Sequence, residues 1–434
     1  MKLSNIIRLT GLMLVACGCG YRAPMYKTVV TEDPARFTSV REDYRELAAL
    51  MTTDTGLPPT DSNSFAIITN HLDKWDVLKK DLESAEESVY IDHYRFRQDS
   101  CGTIVGNILK EKRGRGADVR IILDKGAHIR EDFDSLALYA RDSIDVRFLY
   151  RPSWIQDFVW LSKGAHRDHR KILLIDGKTV HVGGRNIQDK YYKTWRDSDL
   201  RINGPAVYDL GVVYMENQQR VAPGLPPIKV TPESARKAVG DSLAGHEMFH
   251  NKTIQIVHDN PWDKRLPIRN CFEWAINHAQ KYFYFYTPYT PPPASTMKAL
   301  KDAAQRGVDV RWIAPGINDV TPSKWMGESL YAELMDAGVR IFEWQGTILH
   351  TKEFIVDDYL VAIGSANMDN MSFFLNLEVE ALVYDEQFSL SAHKLYLKEL
   401  DEVCIEITRE EVRRWNIFRK IRNWLSRALV GSVA

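Results

Sequence analysis

Residues 169–186 read HRKILLIDGKTVHVGGRN, and residues 350–367 read HTKEFIVDDYLVAIGSAN. Histidine, lysine, aspartate, glycine and asparagine recur in the two stretches at identical spacing, with an offset of 181 residues. In each stretch the histidine and the lysine stand two positions apart before a largely apolar run, so a strand would carry both side chains on one face. A turn after the aspartate would return the chain as a hairpin and bring the asparagine near its own histidine. The pattern predicts a repeated β-hairpin with polar chemistry at one end.

The repeat extends beyond these two hairpins. The pattern Gly-x-Asp-Val-Arg occurs at residues 116–120 and again at residues 307–311. Each copy follows a strand-like run, at residues 88–92 and 282–286, and a helix-like stretch. Strand and helix signals alternate through both halves, which is typical of an α/β fold. The length of 434 residues suits two such domains.

Composition and turn residues divide the chain further, with a turn-rich stretch before residue 65 and a Pro- and Gly-bearing stretch after residue 221. We predict a signal peptide at 1–16, a tether and lead-in at 17–64, a first domain at 65–221, a linker at 222–252, a second domain at 253–408 and a basic amphipathic helix at 409–434. The two domains are the parts that carry the repeat.

The repeated residue types suit the chemistry of phosphodiesters. Attack on a phosphodiester requires a nucleophile, donors for the non-bridging oxygens and an acid for the leaving oxygen. Imidazole serves as nucleophile or as acid near neutral pH, while lysine and asparagine donate to phosphate oxygens. One hairpin holds half of this set, so two facing copies are needed for a complete site.

This paired motif resembles the signature of the phospholipase D superfamily, H-x-K-x4-D-x6-G-[GS]-x-N in two copies. The resemblance covers residues 65–405 and, within the superfamily, is greatest to bacterial cardiolipin synthases, through HRKILLIDG at 169–177, GGRNI at 183–187, WRD at 195–197 and TPY at 287–289. It implies two homologous α/β/α sandwich domains with mixed sheets, related by a pseudo-twofold axis, with the active site at their interface.

The resemblance also implies roles for individual residues. His169 would form a covalent phosphoenzyme and His350 would protonate the leaving alcohol, although the residues themselves do not assign the two roles. The phosphate would be bound by Lys171, Lys352, Asn186 and Asn367. Each histidine would be oriented by an acidic residue from further along the chain, and Asp197 and Glu378 stand 28 residues beyond His169 and His350.

Asp176 and Asp357 complete the set of catalytic candidates by their place in the motif. Their structural alternative is equally well founded, because an aspartate at the end of a strand can cap local backbone amides. The sequence leaves both interpretations open.

The N-terminus resembles that of a bacterial lipoprotein. Lys2 and Arg8 precede an apolar run that is too short to span a bilayer, and Leu14-Val15-Ala16-Cys17 resembles the site at which a cysteine is lipidated. The alternative is an ordinary signal peptide with an incidental cysteine. A lipidated Cys17 predicts a protein of the bacterial cell envelope, at the outer membrane or the periplasmic face of the inner membrane.

The C-terminal segment supports the same location. Apolar residues recur there at helical spacing. The stretch from Arg409 to Arg427 contains seven basic and two acidic residues. Such a helix suits an anionic bilayer surface, and the alternative is a terminal helix packed on its own domain. The cysteines are scattered without metal-ligand spacing, so we expect neither a metal nor an organic cofactor.

The sequence therefore predicts a phosphatidyltransferase that makes cardiolipin from two phosphatidylglycerol molecules through a phosphohistidine. The alternatives are a hydrolase that releases phosphatidic acid, a phosphodiesterase or nuclease of the same superfamily, and a lipid-binding protein without activity. A net charge of −1 argues against a nucleic-acid substrate. We expect an anionic phospholipid substrate and a monomer, while the acceptor alcohol and the donor headgroup are not encoded in any motif.

Overall fold

The protein is described by a computed structural model, which covers residues 30–128, 143–149, 166–237, 243–261 and 265–430. The predicted signal peptide and Cys17 lie outside the described residues, as does the end of the chain after residue 430. Within these ranges no helix has the length and the apolar character needed to cross a bilayer.

The first half consists of strands and helices in alternation. Its strands are β1 (Thr60–Ile68), β2 (Ser88–His93), β3 (Asp118–Asp124), β4 (Asp145–Leu149), β5 (Lys171–Ile175), β6 (Thr179–Gly183) and β7 (Asp199–Asn203). The helices up to the end of this half are α1 (Arg45–Thr55), α2 (His71–Ser84), α3 (Ser100–Gly114), α4 (Asp189–Lys193) and α5 (Ala206–Val221).

The second half repeats this arrangement after the short helix α6 (Pro232–Lys237). Its strands are β8 (Phe249–His258), β9 (Tyr282–Tyr286), β10 (Asp309–Pro315), β11 (Arg340–Trp344), β12 (Glu353–Val356), β13 (Leu360–Gly364), β14 (Val379–Tyr384) and β15 (Cys404–Ile407). Its helices are α7 (Pro267–His278), α8 (Ala294–Gln305), α9 (Thr321–Asp336), α10 (Asn370–Phe374), α11 (Glu386–Val403), α12 (Arg409–Arg414) and α13 (Ile417–Val430).

The described strands form one continuous 15-stranded sheet in the order β15-β11-β10-β9-β12-β13-β14-β8-β1-β7-β6-β5-β2-β3-β4. Read outward from the centre, β1-β7-β6-β5-β2-β3-β4 and β8-β14-β13-β12-β9-β10-β11 are the same series of equivalent strands. The halves meet where β1 pairs antiparallel with β8, as a twofold relation requires. Parallel pairs β2–β3 and β9–β10 stand beside antiparallel pairs, so the sheet is mixed. The predicted duplicated α/β fold is confirmed, and the two sheets are in addition fused into one.

Helices cover both faces of the sheet. On one face α5 and α11 close a single apolar core that extends through both halves. On the other face the cores are separate, with α2, α3 and α4 over the first half and α1, α7, α8 and α9 over the second. Side chains alternate along a strand, so Lys171 shares the face of Leu173 in the core of the first half. Lys352 shares the face of Phe354 in the core of the second half. Both lysines therefore lie on the face where the two cores are separate.

The lead-in predicted at 17–64 differs from the structure over its second part. Helix α1 is amphipathic, and Leu47, Ala48 and Met51 are buried in the core of the second half, against α7. Strand β1 begins at Thr60, and β8 begins inside the predicted linker at Phe249. The prediction of a tether was wrong there, because the contacts that order α1 come from residues more than 200 positions later in the chain, such as Ile268 and Phe272.

The C-terminal segment forms helices α12 and α13, and α13 packs on α9. Helix α13 packs on the protein through its polar face, whereas a surface helix usually packs through its apolar face. Arg419 and Arg422 pair with Glu328 of α9 at 2.9 and 2.7 Å, and Arg427 pairs with Glu333 at 3.1 Å. The apolar side chains point outward, with Phe418 80%, Trp424 64%, Ile417 62%, Ile421 48% and Leu425 42% exposed. The helix is packed on its own domain through its polar face.

Candidate active site

The two histidines lie just before equivalent strands, His169 before β5 and His350 before β12. Backbone hydrogen bonds fix each of them to the opposite half. The N–H of His169 donates to the carbonyl of Leu377 at 2.9 Å, and the N–H of His350 donates to the carbonyl of Arg196 at 2.8 Å. The histidine segments are therefore held across the interface of the two halves.

Each of the acidic residues that were predicted to orient the histidines binds the histidine of the opposite half. Nδ1 of His169 lies 3.0 Å from both Oε1 and Oε2 of Glu378, which belongs to the second half. Nδ1 of His350 lies 2.7 Å from Oδ2 of Asp197, which belongs to the first half. A hydrogen bond from Nδ1–H to a carboxylate leaves Nε2 of each ring for the substrate. Neither half holds a complete histidine–carboxylate pair by itself.

Glu378 is held by a network of donors. Its Oε2 accepts from the hydroxyl of Ser365 at 2.5 Å. Its Oε1 accepts from the hydroxyl of Ser372 at 2.7 Å and from the side-chain amide of Asn376 at 3.0 Å. Burial opposes the charge, but His169 and these hydrogen bonds lower the pKa of Glu378 below its ordinary value. The carboxylate is therefore ionised and fixed.

Asp197 lies against the glycine corner of the first hairpin. Its Oδ1 accepts from the backbone N–H of Ser198 at 2.9 Å, and burial raises its pKa. A Cβ atom at Gly184 would lie 2.3 Å from Oδ1 of Asp197, so this position requires glycine. The second copy has Ser365 there, and its hydroxyl contacts Glu378 instead. The Gly/Ser alternative in the motif thus reflects how each carboxylate is held.

Two buried lysines give the site its positive charge. Burial lowers the pKa of Lys171 to about 7 and that of Lys352 to about 8. Nζ of Lys352 lies close to the imidazole of His350, 2.8 Å from Nδ1 and 3.2 Å from Nε2. Burial and then Lys352 and Lys171 lower the pKa of His350 far below its usual range, and burial also lowers that of His169. A bound phosphate would neutralise the lysines and raise the pKa of His350 again, so protonation of His350 is coupled to substrate binding.

The asparagines of the motif are buried at the same end of their hairpins. The side-chain amide of Asn186 donates to the hydroxyl of Tyr191 at 2.9 Å, and the ring of Tyr191 lies 5.1 Å from that of His350. The backbone N–H of Asn367 donates to the hydroxyl of Ser372. Within the described part of the chain, the buried side-chain oxygen of Asn367 has no hydrogen-bond partner. That oxygen is an acceptor that a donor group of a ligand could contact. Asn186 lies near both histidines, because its side-chain oxygen accepts from the N–H of Arg95 at 3.1 Å, next to the Tyr94 ring that contacts His169.

Asp176 and Asp357 stand at the far ends of β5 and β12 from the histidines. The carboxylate of Asp176 accepts from the backbone N–H groups of Glu86, Glu87 and Ser88 at 2.7–2.9 Å. Asp357 accepts in the same way from three successive amides at 2.6–2.9 Å, those of residues 280–282. Both aspartates have positive φ angles, 53° and 49°, at the hairpin turn. These contacts favour the structural interpretation of the two aspartates, because their carboxylates are occupied in joining each hairpin to its neighbouring strand.

The sequence did not reveal a buried ion pair that crosses the interface. The guanidinium of Arg196 donates to Oε1 and Oε2 of Glu399 at 3.0 Å, and also to Ser198 and Thr351. Since Asp197 is the next residue, this ion pair fixes the segment that orients His350. An arginine beside the orienting aspartate was the one signal available, and nothing in the sequence indicated its partner more than 200 residues away.

Aromatic rings line the site, more on one side than on the other. The imidazole of His169 contacts Tyr94, with ring centroids 5.0 Å apart. The imidazole of His350 is surrounded by three rings, Tyr191 at 5.1 Å, Trp195 at 5.4 Å and Tyr289 at 5.9 Å. Only Trp195 and Tyr289 stood in stretches that the sequence had marked. Such rings exclude water around the reacting atoms.

Among the described residues, no group of three or more His, Cys, Asp or Glu side chains is arranged to hold a metal ion. The described cysteines, Cys101, Cys271 and Cys404, are free thiols. The donors that this site offers to a phosphate include the imidazoles and the two lysines.

Comparison with known proteins agrees with this geometry. The family described as "Cardiolipin synthase, PLD-like domain" matches residues 78–217 and 273–401, which hold the two histidine segments and both carboxylates. The chain belongs to this family. Curated relatives include a cardiolipin synthase of Listeria monocytogenes serotype 4a, 28% identical over 89% of this chain and 79% of that protein. A cardiolipin synthase of Clostridium perfringens is 30% identical over 79% of this chain and 71% of that protein.

Solved structures share the fold. The phosphatidylserine synthase of Haemophilus influenzae Rd KW20 superimposes with a TM-score of 0.66 at 15% identity, over 89% of this chain and 98% of that one. The polyphosphate kinase of Porphyromonas gingivalis gives a TM-score of 0.52 at 14% identity, over 80% of this chain and 49% of that one. At such identity these likenesses establish the shared fold.

Proposed function

We propose that this protein transfers a phosphatidyl group from one phosphatidylglycerol to another, which gives cardiolipin and glycerol. The observation that carries the proposal is the crossed pair of histidines, each bound to a carboxylate of the other half beside two buried lysines. The arrangement supplies a nucleophile, an acid and charge stabilisation for one phosphodiester at a time. The curated relatives named as cardiolipin synthases support the choice of substrate.

In the first step Nε2 of His169 attacks the phosphorus of the donor lipid. The bond from phosphorus to the glycerol oxygen breaks, and His350 gives its Nε2 proton to that oxygen, so glycerol leaves. Lys171, Lys352 and Asn367 stabilise the charge that develops on the non-bridging oxygens. Glu378 stabilises the imidazole of His169 as it forms the bond to phosphorus.

In the second step a hydroxyl of a second phosphatidylglycerol attacks the same phosphorus. Its proton goes to His350, which was left neutral by the first step, and the bond from phosphorus to Nε2 of His169 breaks with its electron pair returning to the nitrogen. Because His350 alternates between acid and base, the same group serves both steps. Water in place of the lipid alcohol would give phosphatidic acid.

Purified protein given phosphatidylglycerol vesicles tests this function through its lipid products. We expect cardiolipin as the main product and phosphatidic acid as a lesser product, with one glycerol released for each molecule of either. Phosphatidic acid as the sole product would establish the hydrolase instead. Cleavage of single-stranded DNA without cardiolipin would establish the nuclease and remove the lipid assignment.

The outward apolar face of α13 supports a site at a bilayer surface. Phe418, Trp424 and Ile417 are more than half exposed on one side of the helix, while Arg419 and Arg422 hold the other side to α9. A helix that is fixed by its polar face can bury its apolar face in the headgroup region. A lipidated Cys17 in the bacterial cell envelope would also hold the protein at a membrane surface.

The substitutions Phe418→Ser and Trp424→Ser, made together, test the role of α13. Each side chain would lose roughly 2 kcal/mol of burial in the bilayer, so we expect vesicle turnover to fall by more than about tenfold. Turnover of a soluble short-chain phosphodiester should not change. The control is Leu72→Ser, an apolar residue 58% exposed on α2. Equal losses in the test and control variants would contradict the proposal. Mass analysis of the mature N-terminus tests lipidation of Cys17 separately.

A further inference from the structure

A partly open group of side chains lies beside His350. The rings of Tyr289 and Trp195 lie 5.9 and 5.4 Å from that of His350, and each connects to the same carboxylate. The hydroxyl of Tyr289 donates to Oδ1 of Asp319 at 2.6 Å. Nζ of Lys190 lies 3.7 Å from the centre of the Trp195 ring and 3.3 Å from Oδ2 of Asp319.

The group is open to solvent while the histidine is not. The side chains of Asp319 and Lys190 are 28% and 29% exposed, against 3% for His350. Burial opposes the charge on Asp319, but Tyr289 and Lys190 keep its pKa below the ordinary value, so the group is ionised. A carboxylate offers about four lone-pair sites, and these two donors leave some of them for a ligand.

We propose that Asp319 binds the hydroxyl of the substrate alcohol that is adjacent to the reacting one, and so selects a polyol headgroup over simple alcohols and water. This inference rests on the proposed function, in which glycerol leaves at His350 and a glyceryl headgroup attacks there. One hydroxyl of that headgroup exchanges its proton with Nε2 of His350. Its neighbour donates to the carboxylate of Asp319, with Tyr289 and Lys190 holding that carboxylate in place.

The surroundings of Asp319 suit a lipid headgroup. It lies in the loop between β10 and α9, where Ile317 and Val320 are 55% and 45% exposed. Helix α9 begins at Thr321, so Glu328, which holds α13, stands about 10 Å further along it. Asp319 and the two exposed apolar residues thus lie just before the helix on which α13, with the proposed membrane face, is packed.

The experiment measures the choice between two soluble acceptors that differ by one hydroxyl. Protein with phosphatidylglycerol vesicles is given equal concentrations of 1-propanol and 1,2-propanediol, and the two phosphatidyl alcohols are separated and counted. We expect the natural protein to favour the diol by about tenfold or more, the worth of a hydrogen bond to a charged group. The substitution Asp319→Asn should bring the ratio close to one.

This ratio does not depend on how much of the protein is folded, so a purely structural loss leaves it unchanged. Tyr289→Phe keeps the ring and removes one donor to Asp319, and we expect a smaller fall in the ratio. The matched control is Asp302→Asn, an exposed aspartate paired with Lys298 on α8, which should keep the natural ratio. Cardiolipin formation with an unchanged ratio in Asp319→Asn, or with no diol preference in the natural protein, overturns this inference alone. Absence of cardiolipin from the natural protein overturns the proposed function as well.

Discussion

The two histidine–carboxylate pairs of the site differ in how firmly they are built. Glu378 offers both of its oxygens to His169 at 3.0 Å and is held by three further side chains. Asp197 meets His350 through one oxygen at 2.7 Å and is held by a backbone amide. The pKa of Glu378 is lowered by its partners, whereas burial raises that of Asp197.

This difference fits a division of labour between the two copies. A nucleophile that carries phosphorus between two steps benefits from a fixed anion behind it, as His169 has in Glu378. A group that gives a proton in one step and takes one in the next must change charge easily. His350, with a less firmly held partner and the additional carboxylate of Asp319 nearby, suits that task.

The largest effect is expected from removing either imidazole. His169→Ala and His350→Ala should each reduce kcat by more than about 10³-fold, because each ring performs a step that the other does not. The double variant should be little worse than either single one. Cardiolipin formation from phosphatidylglycerol vesicles measures this. A single variant that keeps more than about a tenth of the activity, a loss below ~1.4 kcal/mol, would refute the shared site.

Replacing the carboxylates sharpens the comparison directly. Glu378→Gln removes the firmly held charge behind the nucleophile, and we expect a fall in kcat of roughly 10³-fold. Asp197→Asn should cost less, since Asp319 still contributes negative charge near His350. Steady-state kinetics under identical conditions compare the two variants. A greater loss in Asp197→Asn would reverse the assignment of the firmer pair to the nucleophile.

The ion pair of Arg196 and Glu399 has no counterpart in the other copy, where Leu377 and Gln218 occupy the equivalent positions. Arg196→Leu leaves the buried Glu399 unpaired, so we expect a loss of about 3–5 kcal/mol in the free energy of unfolding. Adding Glu399→Gln should restore part of it. Urea denaturation measures both variants. If the single substitution costs less than about 1 kcal/mol, the ion pair does not brace the interface.

The smallest effect is expected where the two copies are alike. Asp176→Asn and Asp357→Asn keep the shape and the tolerance of positive φ but remove the charge that three amides contact. We expect each to lower the free energy of unfolding by about 1–3 kcal/mol with kcat changed less than threefold. Urea denaturation and the measurement of kcat for both variants check this. A fall in kcat comparable to that of the histidine variants would restore the catalytic role.

The residues of the repeated motif could be identified in the sequence, whereas the contacts between the two halves could not. The spacing of His169 and His350 predicted two copies of one hairpin, and the alternation of strand and helix signals predicted the α/β class. Sequence spacing could not show that Asp197 and Glu378 exchange partners, because that depends on how the halves face each other. Local patterns gave no sign of the β1–β8 pairing, which is set by long-range packing.

The sequence also did not indicate which face of the C-terminal helix packs on the rest of the protein. The periodicity predicted one helix over residues 409–434, whereas the structure has two, α12 and α13, separated at Trp415 and Asn416. Within α13 the apolar residues lie on one face, as predicted. The periodicity did not show that the basic face would turn inward, since the deciding partners are Glu328 and Glu333 on α9, about 90 residues earlier. Which face of α13 is exposed depends on how the helix packs on α9. The local sequence of the helix does not determine that packing.

The central claim, one site in which His169 is the nucleophile and His350 the proton carrier, is tested most directly by trapping the intermediate. His350→Ala is mixed with phosphatidyl-p-nitrophenol in vesicles, since this leaving group needs no proton, and the reaction is stopped at alkaline pH. We predict a burst of one nitrophenolate per protein and a phosphatidyl adduct that peptide mass spectrometry locates on His169, with neither in His169→Ala. An adduct on His350 in His169→Ala, with none in His350→Ala, would contradict the account.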